Sequence, residues 1–546
     1  MRKQRRDRET AWVAALAGYI SLFSFLYYLR QGELLLYGDA VAHLNIARRV
    51  FDSRTPGVLQ LGTVWLPLPH LLMIPFIVAD SMWRTGIGAS IPSMLAYVAS
   101  VAGVFRLVRG ALSFPAEPEP AARGAAWMAA LVLAANPNLI YMQATAMTEA
   151  LYLALFIWAI VYFYEFMQRS TVQQAQALLM KSGACLAGAE LTRYDGWFAA
   201  AIMGVIALIW ALRSQGRNSR AAVARFLIMI AAAPALWLAY NAAVYRNPLE
   251  FANGPYSAKA IEQRNTTPAF PSHPGSHNPL VAGVYFLKSA ELNVAQPELL
   301  QRVWVILVLG STALMCSFAR RLGVLILLWL PLPFYMLSIA YSGVPLFVPG
   351  WWPFSNYNLR YGLQLLPLFA VAIGMVIYFL INVTRNRRLQ VVAVVLVSGV
   401  AAWSYASVWR REPVCLREAR VNSRTRLALE KELARQLSML PPDASILMYL
   451  GDHVGALQQA GIPLARTINE GNHRVWKQPT DPEGLWERAL ADPGKYADYA
   501  VAVDEDPVAK ALAHSARTSL VQIQVSGQPA AAVYYLRDKS PGNQAR

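Results

Sequence analysis

Cysteine is scarce in this chain. Three in 546 residues, with Cys185 and Cys316 inside apolar stretches and Cys415 apart, cannot form a disulfide framework. Charge is scarce too, at 15% of residues, and acids are the rarer sign, 32 against 49 lysines and arginines. No Walker loop, dinucleotide fingerprint, HExxH or CxxC occurs in a usable context, which removes the common signatures of nucleotide, zinc-protease and thiol-redox chemistry. Long apolar runs are abundant instead. With 56% of residues hydrophobic, the chain is too apolar and too long for one soluble domain and reads as a polytopic membrane protein. Its net charge of +17 needs no nucleic acid, because the arginines lie in short loops between apolar runs, as the positive-inside bias requires.

Those arginines set the topology. Basic clusters fall at Arg2–Arg8, Arg106/Arg109/Arg123, Arg169/Lys181, Arg213/Arg217/Arg220/Arg225, Arg320/Arg321 and Arg385/Arg387/Arg388. All lie in the cytoplasm if segment 64–79, broken by Pro67, Pro69 and Pro75, dips into the membrane without crossing. About eleven spans follow: 11–29, 87–108, 124–141, 149–167, 180–195, 197–212, 222–244, 302–319, 322–343, 359–381 and 389–409. The first reads as an uncleaved helix, since residues 25–30 offer no small-residue cleavage site. The expected class is mainly α: a transmembrane domain over 1–409, an amphipathic connecting helix over 410–440 and a soluble α/β domain over 441–546. Strand-like stretches at 445–450, 464–468, 499–503 and 519–525 support the last, and Gly451-Asp452-His453-Val454-Gly455 lacks a full glycine pattern. The expected location is the inner membrane, with the N-terminus cytoplasmic and the C-terminal domain outside.

Polar groups gather at the non-cytoplasmic ends of the spans. In Leu36-Tyr37-Gly38-Asp39-Ala40-Val41-Ala42-His43, Asp39 and His43 stand one helical turn apart. Asp39 serves as general base or metal ligand, or simply caps a helix. His43 is an accessory group or a packed histidine. Arg48 and Arg49 are expected to snorkel to headgroups. Asn136-Pro137-Asn138 and Thr148-Glu149 form a second cluster, in which Glu149 either steadies a helix start or supplies a second carboxylate. Together, Asp39 and Glu149 could hold a divalent cation, Mg or Mn. Leu191-Thr192-Arg193-Tyr194-Asp195 offers Arg193 as a phosphate fork or as the ion-pair partner of Asp195. Asn358-Leu359-Arg360-Tyr361 places Arg360 and Tyr361 at a helix start suited to an anion. The polar stretch 245–302 reads as a mobile lid, and its His273 and His277 lack a metal spacing.

In this order the motifs resemble the GT-C fold of integral-membrane glycosyltransferases, a group with protein O-mannosyltransferases, lipid A aminoarabinose transferases and oligosaccharyltransferase catalytic subunits. The resemblance covers residues 1–409 in topology. It implies a polyprenyl-phosphate sugar donor, a lipid, glycan or protein acceptor, transfer of a hexose or pentose by inverting displacement, and a first-loop aspartate acting on the acceptor or on a metal. Asp39 matches that aspartate and Glu149 a second acid, while Arg193 and Arg360 match donor-phosphate arginines by location. The O-mannosyltransferases commonly carry two adjacent first-loop acids; here Ala40 follows Asp39, which leaves the acceptor open. The alternative class is a transporter or lipid-carrier flippase, which calls for internal repeats and broken midplane helices. Neither is visible. A non-catalytic scaffold would leave the acids and arginines of one face without a role.

Overall fold

The computed structural model describes residues 2–113, 120–168, 172–213, 217–267, 271–384, 386–451, 453–472, 482–513 and 519–536. Arg169, Arg385 and Asp452 lie outside them. The helices run in the order α1 (Arg2–Gln31), α2 (Gly38–Arg49), α3 (Leu68–Met73), α4 (Asp80–Thr85), α5 (Ile87–Ser113), α6 (Pro120–Ala134), α7 (Pro137–Met142), α8 (Glu149–Met167), α9 (Val172–Glu190), α10 (Tyr194–Arg213) and α11 (Arg217–Tyr245). Then come α12 (Glu250–Asn253), α13 (Ala258–Asn265), α14 (Pro279–Val294), α15 (Glu298–Ser317), α16 (Ala319–Leu322), α17 (Pro331–Ser342), α18 (Leu366–Val383), α19 (Arg387–Arg410) and α20 (Val414–Leu437). A 3-10 helix, Leu359–Leu365, leads into α18.

The chain is an integral membrane protein. Among the described residues nine helical stretches are long and apolar enough to cross a bilayer, fewer than the eleven expected. The difference is α6, with 15 residues, and α9, which is less apolar; both still pack inside the bundle, α6 on α5 and α18, α9 on α8 and α11. Segment 64–79 forms no span. Its α3 has six residues, about 9 Å of helix, and ends in a 3-10 turn at Ile74–Phe76. The bundle is centred on one large apolar cluster to which α5, α6, α8 and α18 contribute aliphatic, aromatic and many alanine side chains, and the C-terminal sheet has a second cluster around Leu447, Ile468 and Trp486. Alanine lets the helix backbones approach closely where lipid offers no hydrophobic drive for association.

Two expectations change. Stretch 245–302 is not simply a lid, because it contains the 16-residue α14, which packs on the 3-10 helix and α17. His273 is buried there; Gly275 N donates to its Nδ1 (2.8 Å), so Nε2 carries the proton toward Leu346 O at 2.7 Å. Arg48 does not snorkel. It is buried and donates to Asp52 (2.8 Å), Asp80 (2.6 Å) and the carbonyl of Ile77 (2.9 Å), clamping α2 to the segment before α5.

The C-terminal part holds β1 (Ile446–Met448), α21 (Val454–Ala460), β2 (Thr467–Ile468), β3 (Tyr499–Val503), β4 (Ser519–Ile523) and β5 (Ala531–Tyr535). The sheet order is β2-β1-β3-β5-β4, with β1 parallel to β2 and β3, and β5 antiparallel between β3 and β4. This sheet lies against the first loop. Asn45 on α2 donates to Gln458 on α21 (3.0 Å), and Asp52 accepts from the backbone of Leu464 (3.2 Å) and Ala465 (2.9 Å).

Candidate functional site

Asp39, His43, Glu149, Arg193, Asp195, Arg360 and Tyr361 all line one cavity of about 480 Å³. Four separate segments bring them there: α2, the start of α8, the turn into α10, and the 3-10 helix before α18. Glu149, Arg193, Asp195, Arg360 and Tyr361 stand at or beside the ends of apolar helices, where a charge meets the polar boundary and costs less than it would at midplane, and Asp39 and His43 come from the first-loop helix α2.

Arg360 organises the site. Its three nitrogens reach three carboxylates: Nη2 donates to Asp39 Oδ2 at 2.5 Å, Nε to Glu149 Oε1 at 3.2 Å and Nη1 to Glu418 Oε1 at 3.2 Å. Arg193 donates to the same Glu149 oxygen at 3.3 Å, to Thr148 Oγ1 at 3.0 Å, to Tyr335 Oη at 2.7 Å and to Asp195 Oδ2 at 3.4 Å. Thus Arg193 pairs with Asp195 and also faces the cavity. Tyr361 lies between the two cations, its ring centre 5.0 Å from the Arg193 guanidinium carbon and 5.2 Å from that of Arg360. Tyr335 stacks on it at 5.2 Å.

The acids differ in access. The Asp39 side chain is 40% exposed, whereas those of Glu149 and Glu418 are 1% exposed. Asp39 is therefore the carboxylate of this set open to an incoming group. Asp39 lies inside α2, whose N-cap is Tyr37, while Thr148 is the N-cap of α8, and neither N-cap residue makes a side-chain cap bond. Glu149 does not face Asp39 across open space but is joined to it through Arg360, and its Oε2 is buried without a partner.

Arg360 also departs from the simple helix-start picture. The first amide of its 3-10 helix, Leu359 N, already donates to Glu418 Oε2 at 2.7 Å, so no anion need fill that place. Glu418 escaped the sequence reading because it lies on the connecting helix α20. The available signal was its phase: Val414, Cys415, Glu418 and Ala419 form one buried face. Tyr335, which accepts from Arg193, was hidden inside an apolar run.

His43 is held from behind, its Nδ1 2.8 Å from Nε2 of His70. Both rings are buried. Burial, with the nearby Arg360 and Arg193 charges adding, pushes His43 down to about 3, and His70 also lies well below the usual histidine range. The pair is neutral at neutral pH, one ring donating and the other accepting. Burial likewise raises the Tyr357 phenol beside the site to about 12.

In this structure Asp39 and Glu149 share the Arg360 guanidinium, and among the described residues no group of three or more His, Cys, Asp or Glu side chains is arranged to hold a metal.

No family model matches the sequence, and no curated protein does. Solved structures do. ArnT from Cupriavidus metallidurans in the apo state superposes with a TM-score of 0.56 at 13% identity, over 96% of this chain and 98% of its own. The same ArnT bound to undecaprenyl phosphate gives 0.54 at 14%, over 98% and 100%. The chain has the GT-C fold. An Archaeoglobus fulgidus oligosaccharyltransferase aligns at a TM-score of 0.43 and 11% identity, over 90% of this chain and 68% of its own. The chain combines a helical membrane bundle with a C-terminal region that holds a small sheet.

Proposed function

We propose that this protein transfers a sugar from a polyprenyl-phosphate donor to an acceptor hydroxyl of an envelope lipid, glycan or protein, at the extracytoplasmic face of the inner membrane and with inversion at the anomeric carbon. The observation that carries the reading is the single cavity in which an accessible carboxylate, Asp39, is held by one of two arginines. The fold supports it, since the structure of ArnT with undecaprenyl phosphate shows that protein binding such a carrier.

In this reading Arg193 and Arg360 receive the donor phosphate. The phosphate competes with Asp39 for Arg360, so donor binding loosens the Arg360–Asp39 pair and frees the carboxylate. Asp39 then takes the proton of the acceptor O–H as the oxygen attacks the anomeric carbon. The anomeric C–O bond breaks, and its electron pair leaves on the polyprenyl phosphate, whose developing charge the two guanidinium groups stabilise. Glu149 is a positioning residue that keeps both arginines charged and fixed. No step calls for a metal.

The test is transfer by purified protein, using labelled polyprenyl-phosphate sugars and a cell-envelope extract. Wild type should give labelled product, and Asp39→Asn should lower turnover by about 10²–10⁴-fold with unchanged expression and melting. Undiminished turnover in that variant removes Asp39 from the mechanism. Lipid movement across a vesicle bilayer without product would instead identify a flippase.

A further inference from the structure

A second cavity, of about 380 Å³, adjoins the first. Val64 and Trp65 line both, and the Trp65 ring packs on His43 at 4.8 Å. Helix α2 serves the two cavities with different faces. Asp39 and His43 point to the first; Ala42, Ile46 and Arg49, each three or four residues on, point to the second.

Its walls come from three parts of the chain. The first loop supplies Arg49, Gln60 and Trp65, the region around α12 supplies Tyr245, Glu250 and Tyr256, and the C-terminal domain supplies Tyr449, Gly451 and Glu470. The domains meet here through polar contacts. Arg49 Nη1 is 3.7 Å from Glu470 Oε1, Tyr256 Oη is 3.3 Å from Tyr449 Oη, and Gln60 Nε2 donates to Gly471 O at 2.8 Å. Two polar atoms in this wall are buried without a partner, Arg49 Nε and Gln60 Oε1. Such orphans are costly, and each native instance calls for a reason.

The chemistry selects among ligands. Four aromatic rings offer flat apolar faces with polar tips, suited to a group that is apolar on one side and hydroxylated on its edge. A guanidinium, an amide and two carboxylates supply donors and acceptors together. An acyl chain would leave these groups unpaired. A phosphate would meet Glu250 and Glu470 beside a lone Arg49, an unfavourable local balance. A sugar ring satisfies both demands, with C–H faces against the aromatics and hydroxyls to the polar groups. The volume falls within the usual range for small-ligand sites, about 300–1,000 Å³.

We propose that this second cavity binds a carbohydrate unit of the acceptor, and that the C-terminal domain contributes to the enzyme by completing it. The inference rests on the glycosyltransferase reading for the word acceptor, but carbohydrate binding is measurable without turnover. The experiment uses full-length wild type and the variants Arg49→Met, Tyr449→Ala and the milder Tyr449→Phe. Two probes are titrated separately: lipid-free oligosaccharide released from the cell envelope by mild acid, and undecaprenyl phosphate. Oligosaccharide binding should weaken by about tenfold or more in the first two variants and measurably in Tyr449→Phe, with undecaprenyl phosphate affinity unchanged in at least the last. In the transfer assay the acceptor KM should rise while the donor KM holds. Absence of oligosaccharide binding by wild type, equal binding by all variants, or loss of the two probes in parallel across all three variants overturns the proposal. Oligosaccharide binding without sugar transfer would refute the enzymatic reading and leave the carbohydrate site standing; transfer with unaltered acceptor KM in the variants would do the reverse.

Discussion

At the scale of single residues, the site is governed by the ratio of buried cations to buried acids. One Glu149 oxygen serves both Arg193 and Arg360, so Glu149→Gln leaves two guanidinium groups short of a counter-charge. Breaking such a buried pair costs about 3–5 kcal/mol. We expect the detergent-solubilised variant to melt earlier and to bind undecaprenyl phosphate no more weakly than wild type, because an arriving phosphate replaces the missing negative charge. Scanning calorimetry with and without that lipid checks both halves. The histidines give a pH signature. His43 titrates at about 3 in the folded chain against 6.5 when free, so between those values the unfolded chain binds a proton that the folded chain does not. Stability contributed by the neutral ring is complete above pH 6.5 and lost as pH falls toward 3. His43→Gln should flatten that acid limb, measured as melting temperature against pH; a limb of unchanged slope would show that His43 does not contribute to it.

Among the elements, the 3-10 helix Leu359–Leu365 decides where Arg360 and Tyr361 point. It lies so close to α14 that a Cβ on Gly362 would sit 2.5 Å from Ala290 N. Gly362→Ala should therefore push this helix off α14, lower turnover by at least about tenfold, and lower the melting temperature. Assays of kcat beside thermal melts separate the two effects. This is also where the sequence was easiest and hardest to read. Apolar runs and arginine-rich loops identify α1, α5, α8 and α18 directly, because lipid demands length and the leaflet demands sign. The 3-10 geometry, the burial of Arg48 and the helical content of 245–302 depend on partners far away in the chain, which periodicity within one segment does not report. Residues Asp39, His43, Glu149, Arg193, Asp195, Arg360 and Tyr361 could be picked out because polar side chains at span ends are few; their joint cavity required the fold.

For the whole molecule, the arrangement predicts sidedness. If the basic clusters face the cytoplasm, a cysteine placed at exposed Met439, after α20, should react with an impermeant maleimide in spheroplasts, and one at exposed Arg388, at the start of α19, should react only after lysis. Reversed labelling would invert the topology and move the site to the other face. The C-terminal sheet was partly foreseeable, since β1, β2, β3 and β4 fall on the β-branched stretches. Strand β5 escaped the sequence reading, although its Val533, Tyr534 and Tyr535 are β-forming residues; its place is set by pairing with β3 and β4.

Helix α20 looks in sequence like a joint between modules, yet through Glu418 it holds Arg360, and through Arg426 it donates to the Leu36 carbonyl at 2.8 Å ahead of α2. Chimeras that exchange C-terminal modules should therefore be spliced after Leu437. A splice at residue 410 would import a foreign partner for the arginine, and the hybrid would lose its reaction centre even with every transmembrane residue retained.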